Sequence, residues 1–198
     1  VGEFGVATGG GIWVAARDFK IIDHHNFNPR IIEWMTDYLN GADIRPQDYV
    51  SAFIGNLNNP TRIWEHAFHS QISNPARHLL LVLVSLPAEV MLEDLELAFT
   101  SFYRERAKQF GFPTLPGDFM KALKELESNF IKMERFQDKT IIRFHNPSIK
   151  DFLQSYLAVN LSDVRSLCAA FVFFDQLIAL WGSEQIPGPS IREVMKRI

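Results

Sequence analysis

Hydrophobic residues recur along this chain mostly at helical spacing, punctuated by proline, glycine and asparagine. After Asn28-Pro29, residues Ile31, Ile32, Trp34, Met35, Tyr38 and Leu39 predict a first helix that stops at Gly41. Proline suits a first helical turn, where its missing N–H is not needed, and glycine suits the residue just past the end. A second helix is predicted from Pro46 through Leu57, broken by Asn58-Asn59-Pro60. A third carries Ile63, Trp64, Ala67, Phe68 and Ile72 on one side. Asn74-Pro75 opens a helix with an apolar run from Leu79 to Val84, ending near Leu86-Pro87. A run this short predicts a buried core helix rather than a membrane span. Residues 92–110 predict a long amphipathic helix closed by Gly111. Pro116-Gly117-Asp118 starts another, with Phe119, Leu123 and Leu126 inward.

The period then changes. Residues 130–136 and 140–144 alternate as two strands, with Gln137-Asp138-Lys139 as a short hairpin loop. Asn146-Pro147-Ser148 begins a helix with Ile149, Phe152, Leu153 and Tyr156 on its inner face. Asn160 to Asp163 caps one more, very apolar, helix that runs to Trp181-Gly182. Phe171, Val172, Phe173, Phe174 and Leu177 run all round it, so burial on every side is expected. Pro187-Gly188-Pro189 reads as a linker, followed by a final helix from Ser190. The fold class is therefore mainly α. Three helices followed by a hairpin, over 75–144, give the order of a winged helix-turn-helix, with a small helical bundle before it.

The 198 residues suffice to bury a real core, and a 47% hydrophobic content excludes a disordered chain. The one cysteine, Cys168, excludes an internal disulfide and a cysteine-based zinc cluster, so a reducing, cytoplasmic setting is expected. Its apolar neighbours predict a buried structural thiol. Residues 1–17 are glycine-rich and read as a flexible leader or a truncation remnant. They form no phosphate-binding loop, because Gly9-Gly10-Gly11 leads into Ile12-Trp13 where that loop needs Lys and then Ser or Thr.

A winged helix raises DNA binding first. The candidate recognition helix, about 117–128, has Lys121 and Lys124 but also Asp118, Glu125 and Glu127. Residues 75–160 hold eleven Lys plus Arg and eleven Asp plus Glu, and the whole chain carries a net charge of −3. A phosphate-tracking surface needs a cationic excess, so nucleic acid is not the expected partner. His66 and His69, three apart beside Glu65, lack a third clustered ligand and read as a solvated helix face; adjacent His24 and His25 would point apart.

Two motifs offer nucleotide chemistry. Asn28-Pro29-Arg30 places a proline ring at a helix start, where it can pack on a base, and an arginine whose fork matches phosphate oxygens. Phe144-His145-Asn146-Pro147-Ser148 sets His145 between a strand end and a helix N-terminus, where helix dipole and free N–H groups favour anions. Each also has a purely structural reading as a helix cap.

Taken together and in order, the segments DFKIIDHHNFNPRIIEWMTDYL, NNPTRIWEHAFHSQISNPARHLLLVLVSLP and IRFHNPSIKDFLQSYL resemble the region downstream of the ATPase core in bacterial STAND-type NTPases. They are most similar to the novel STAND group, over about residues 18–160. The resemblance implies a helical lid over 18–73, a winged helix over 74–160 and the start of a C-terminal helical region over 161–198. It implies that Pro29 contacts the base, that Arg30 takes a sensor position, and that His145 contacts the diphosphate of ADP and holds the closed state. The family context is bacterial signalling and antiphage defence. The P-loop and the acidic magnesium motif do not occur here, and phosphoryl transfer needs both. The expectation is a non-enzymatic fragment with no cofactor of its own. ADP or ATP with Mg would belong to the parent protein, the partner would be its upstream ATPase core, and activation would bring homo-oligomers. Two other readings stand beside this one, a DNA-binding regulator and a helical interaction scaffold.

Overall fold

The computed structural model describes residues 24, 32, 33, 45, 48–127, 129–183 and 186. Residues 1–17, read from the sequence as a leader or remnant, most of the first predicted helix with Pro29 and Arg30, and the segment from Pro187 onward lie outside the described residues.

Helix α1, Tyr49–Asn58, buries Phe53 and Leu57, four apart on one face, and ends before Pro60. Helix α2, Thr61–His66, runs on into a π-helical turn, Ala67–Gln71. Helix α3, Asn74–Val84, has Pro75 in its first turn and buries every residue from His78 to Val84. A helix apolar all round must be enclosed, and α3 packs against three other helices.

Strand β1, Val90–Met91, leads directly into α4, Leu92–Phe110, which Gly111 closes at φ 70°. Only a residue at ease in the left-handed region ends a helix this way without strain. Helix α5, Asp118–Leu126, follows Gly117 at φ 89°. Strands β2, Ile131–Phe136, and β3, Lys139–Phe144, pair antiparallel with Phe136 opposite Lys139 and Ile131 opposite Phe144. The hairpin loop is thus two residues, Gln137-Asp138, with Gln137 at φ 55°. Lys139 belongs to the strand instead of the expected three-residue loop.

The hairpin is not alone. Val90 pairs with Ile142 and Met91 with Ile141, which makes a three-stranded antiparallel sheet in the order β1-β3-β2. Two residues are too few to show alternation in a sequence, so β1 was not foreseen. Helix, strand, two helices and two strands, from α3 to β3, is the element order of a winged helix-turn-helix.

Helix α6, Pro147–Val159, follows β3 at once, and α7, Leu161–Ala169, follows α6. The expected single helix up to Trp181 is in fact two. The chain leaves helical geometry at Ala170 and re-enters it in α8, Phe174–Trp181. The cause is Gln176. Its buried side-chain carbonyl accepts from the N–H groups of Val172 (2.9 Å) and Phe173 (3.1 Å), and its amide donates to Ser85 Oγ at 3.1 Å. A side chain thus satisfies the backbone donors that the broken helix frees. Burial on every side fails as well: Phe174 is 74% exposed and Ile178 54%.

Among the described residues one apolar core runs from Phe53 to Ile186 and includes residues of each helix from α1 to α8. Trp64 of α2 and Phe68 of the π-helical turn belong to it. Trp64 meets Phe130 at 5.4 Å, and Phe68 meets Phe152 at 5.6 Å and Tyr156 at 5.0 Å.

Gln176→Leu strands the N–H groups of Val172 and Phe173 and should cost about 2 kcal/mol. Phe174→Ser on the exposed side of the same helix should stay within about 0.5 kcal/mol. Urea denaturation of both variants checks this, and equal effects would contradict the assigned role of Gln176.

Candidate functional site

His145 is exposed at the junction of β3 and α6. Its own N–H donates to the carbonyl of Phe130 at 2.9 Å, so the backbone is fixed and the imidazole is left outward. Asn146, 5% exposed, is the N-cap of α6. Its Oδ1 accepts from the N–H of Ser148 at 2.9 Å and from the Ser148 hydroxyl at 2.8 Å. Ser148 Oγ in turn accepts from Trp64 Nε1 at 2.9 Å. A three-residue chain of hydrogen bonds therefore ties α2 to the residue after His145.

This corrects part of the electrostatic expectation. Pro147 has no N–H, Ser148 N–H is held by the Asn146 side chain, and Ile149 N–H by the Asn146 carbonyl at 3.1 Å. The first turn of α6 offers the helix dipole but not the free donors that were expected. Any anion held there would rely on the His145 ring and the dipole.

Of the other predicted residues, Pro29 and Arg30 lie outside the described residues, so nothing places them near His145. His24 Nε2 sits 3.1 Å from Asn58 Oδ1. His66 and His69 are exposed, and no group of three or more His, Cys, Asp or Glu able to hold a metal ion occurs among the described residues. Cys168 is buried, and burial pushes its thiol up to about 11, which keeps it protonated and unreactive. No helix among the described residues is long and apolar enough to cross a membrane.

Sequence reasoning missed two buried polar features. Arg106 of α4 pairs with Asp163 of α7 at 2.9 Å, with side chains only 12% and 7% exposed. The other oxygen of Asp163 accepts from the Tyr156 hydroxyl at 2.8 Å, and the Arg106 guanidinium lies 4.4 Å from the Phe110 ring. Burial and the Asp163 carboxylate hold the Tyr156 phenol well above its ordinary range. The attraction within such a buried pair is largely offset by the cost of taking both charges out of water. Its three members lie 50 and 7 residues apart, a spacing no periodicity reveals.

The second is His78, in the middle of α3. It stacks on Phe112 at 5.8 Å and meets Phe102 at 5.6 Å and Tyr103 at 5.5 Å. Its Nδ1 is buried without a hydrogen-bond partner. Burial first, then the charges of Arg106 and Arg77, lowers its pKa from 6.5 to about 4.

Two shallow pockets flank α4. One, of about 330 Å³, lies against the loop before α5 and is lined by Glu96, Tyr103, Arg104 and Asp118 among others. The other, of about 310 Å³, lies against the end of α7. Neither includes His145.

No family model, curated protein or solved structure matches this chain. The likeness to STAND proteins therefore rests on the sequence motifs alone.

His78 sets a pH dependence. Its folded pKa is depressed, so its contribution is fully present above about 6.5. It is lost as pH falls towards 4, because the unfolded chain binds the proton first. The loss should approach about 3 kcal/mol at roughly 1.4 kcal/mol per unit. Melting curves between pH 7 and pH 4 should show a shallower decline for His78→Phe than for the parent chain; parallel declines would refute the assignment.

Proposed function

We propose that this chain is the lid and winged-helix region of a STAND-type nucleotide-switch ATPase, in which His145 holds ADP in the closed state. The observation that carries this reading is the position of His145. Its backbone is pinned to Phe130, its neighbour Asn146 is locked into the α6 cap, and the residue itself is exposed. A neutral or charged imidazole in that setting can donate to a diphosphate oxygen. The Trp64–Ser148–Asn146 chain would transmit a lid movement to the same spot.

On this reading catalysis belongs to an ATPase core outside this chain, which would also be its main partner. ADP would bridge that core, Pro29 and His145. Exchange for ATP would break the His145 contact, free the winged helix to swing and let copies assemble. A ligand drives such a change only through different contacts in the two states. A role in bacterial signalling or defence belongs to the same proposal.

The winged helix has little to recommend it as a DNA reader. Glu134 holds both Lys132 (2.8 Å) and Arg143 (2.6 Å) on the hairpin, and Asp138 adjoins Lys139 at its tip. The Glu134 carboxylate offsets part of the hairpin's positive charge, and the hairpin has no uninterrupted row of cations for a phosphate backbone.

A second reading, an interaction scaffold, is favoured by one observation. Val172, Phe174 and Ile178 form an exposed apolar stripe on and before α8.

In the full-length protein, His145→Ala should lower the amount of ADP that copurifies and raise resting activity. Unchanged ADP occupancy with unchanged resting activity would sink the assignment. For the scaffold reading, sedimentation at micromolar concentration should show self-association that Phe174→Ser with Ile178→Ser abolishes; a monomer at every concentration would remove it.

A further inference from the structure

The exposed apolar residues of α8 form a line. Phe174 and Ile178 stand four residues apart, and Trp181, three further on, is also exposed. On the other side Gln176 and Leu180 are buried, and Phe173 and Leu177 pack against the core. The helix therefore buries one face and presents an apolar row on the other. A helix with apolar residues on both sides suits a place between two layers.

The next stretch of sequence matches that row. The helix predicted from Ser190 has Ile191, Val194, Met195 and Ile198 at the spacing of one helical face. Arg192, Glu193, Lys196 and Arg197 take the other positions. Read backwards, Ile198, Val194 and Ile191 are separated by four and then three residues. Those are the steps of Phe174, Ile178 and Trp181 read forwards. Two antiparallel helices with these sequences meet apolar residue against apolar residue.

The connection fits as well. Eight residues, Gly182 to Pro189, separate α8 from Ser190. Antiparallel neighbouring helices are commonly joined by about 2–8 residues. Ile186 is buried in the core, so the chain is still held against the molecule after α8 has ended. Pro187-Gly188-Pro189 then bars a continuous helix and favours a reversal. Charge agrees. α8 carries Asp175 and no lysine or arginine, whereas residues 190–198 carry three cations and one carboxylate. An antiparallel arrangement brings Lys196 and Arg197 to the end of α8 that holds Asp175, where opposite charges attract.

We propose that residues 190–198 fold back as an antiparallel helix on the Phe174–Ile178 face of α8, with Val194 against Ile178 and Ile198 against Phe174. The stripe is then a docking surface for this chain's own segment, where the scaffold reading gives it to a second copy. A connection this short keeps the segment at roughly millimolar effective concentration beside the stripe, and a second copy at micromolar concentration does not match that. The proposal involves neither His145 nor a nucleotide, so it stands or falls apart from them.

Cysteine pairs placed in the 198-residue chain test the contact, with the native Cys168 buried and out of reach. Under mild oxidation, Ile178→Cys with Val194→Cys should close an intramolecular disulfide at least about tenfold faster than Ile178→Cys with Glu193→Cys, whose second position lies on the far side of the segment. Equal rates would overturn the proposal. A disulfide joining two chains would overturn it too, and would give the stripe to a second copy. In the unaltered chain, amide exchange across residues 190–198 should be slowed. Phe174→Ser with Ile178→Ser should return it to the rate of an unstructured peptide while α3 stays protected, because the release is local. Unprotected amides at 190–198 in the unaltered chain would overturn the proposal whether or not the cysteine variants fold.

Discussion

Helix α3 imposes the main constraint on this fold. Seven consecutive residues, His78 to Val84, are buried, so no face of the helix can turn to water. Everything else is arranged to enclose it and to satisfy its two polar ends. At the start, Ser73 caps the helix and donates through its N–H (2.8 Å) and hydroxyl (2.6 Å) to the two oxygens of Glu125 on α5. At the end, the Ser85 hydroxyl donates to the Val82 carbonyl at 2.7 Å and accepts from Gln176 on α8. An unsatisfied group at either end would cost about as much as a lost core contact. The same two ends therefore fix where α5 and α8 sit, and they do so across 52 and 91 residues of chain.

The remaining elements build outward from that helix towards the corner that carries His145. β3 is the central strand and hands directly to α6, so its last residues and the α6 cap form one rigid corner. His145 occupies that corner. Helix α2 reaches it through Trp64, whose ring is buried against Phe130 while its N–H reaches Ser148. A fully buried indole that also donates a hydrogen bond is a specific joint rather than a greasy contact. On the proposed reading this is the path by which a nucleotide held on the lid side would bias the winged helix.

Much of the fold could be read from the chain because its punctuation is strong. Pro75 and Pro147 mark helix starts, Gly111 marks a helix end, and the period of two in residues 131–144 marks the hairpin. What escaped was fixed by distant partners. Val90–Met91 becomes a strand only because β3 is there to pair with it. The break at Ala170–Phe173 has no Gly or Pro to announce it and depends on Gln176 folding back and reaching Ser85. The site was legible in part. His145 follows from its place between strand and helix, whereas the committed N–H groups around it could not be foreseen. His78, Arg106 and Asp163 gave no signal because each takes its meaning from residues on other helices.

The central claim is that the corner of β3 and α6 is where this chain meets a nucleotide. Hydrogen exchange on the full-length protein, with and without ADP, tests it most directly. The account predicts that ADP slows exchange across residues 144–149 while the hairpin tip at Gln137-Asp138 is unaffected. ADP binding that leaves residues 144–149 unchanged would contradict it.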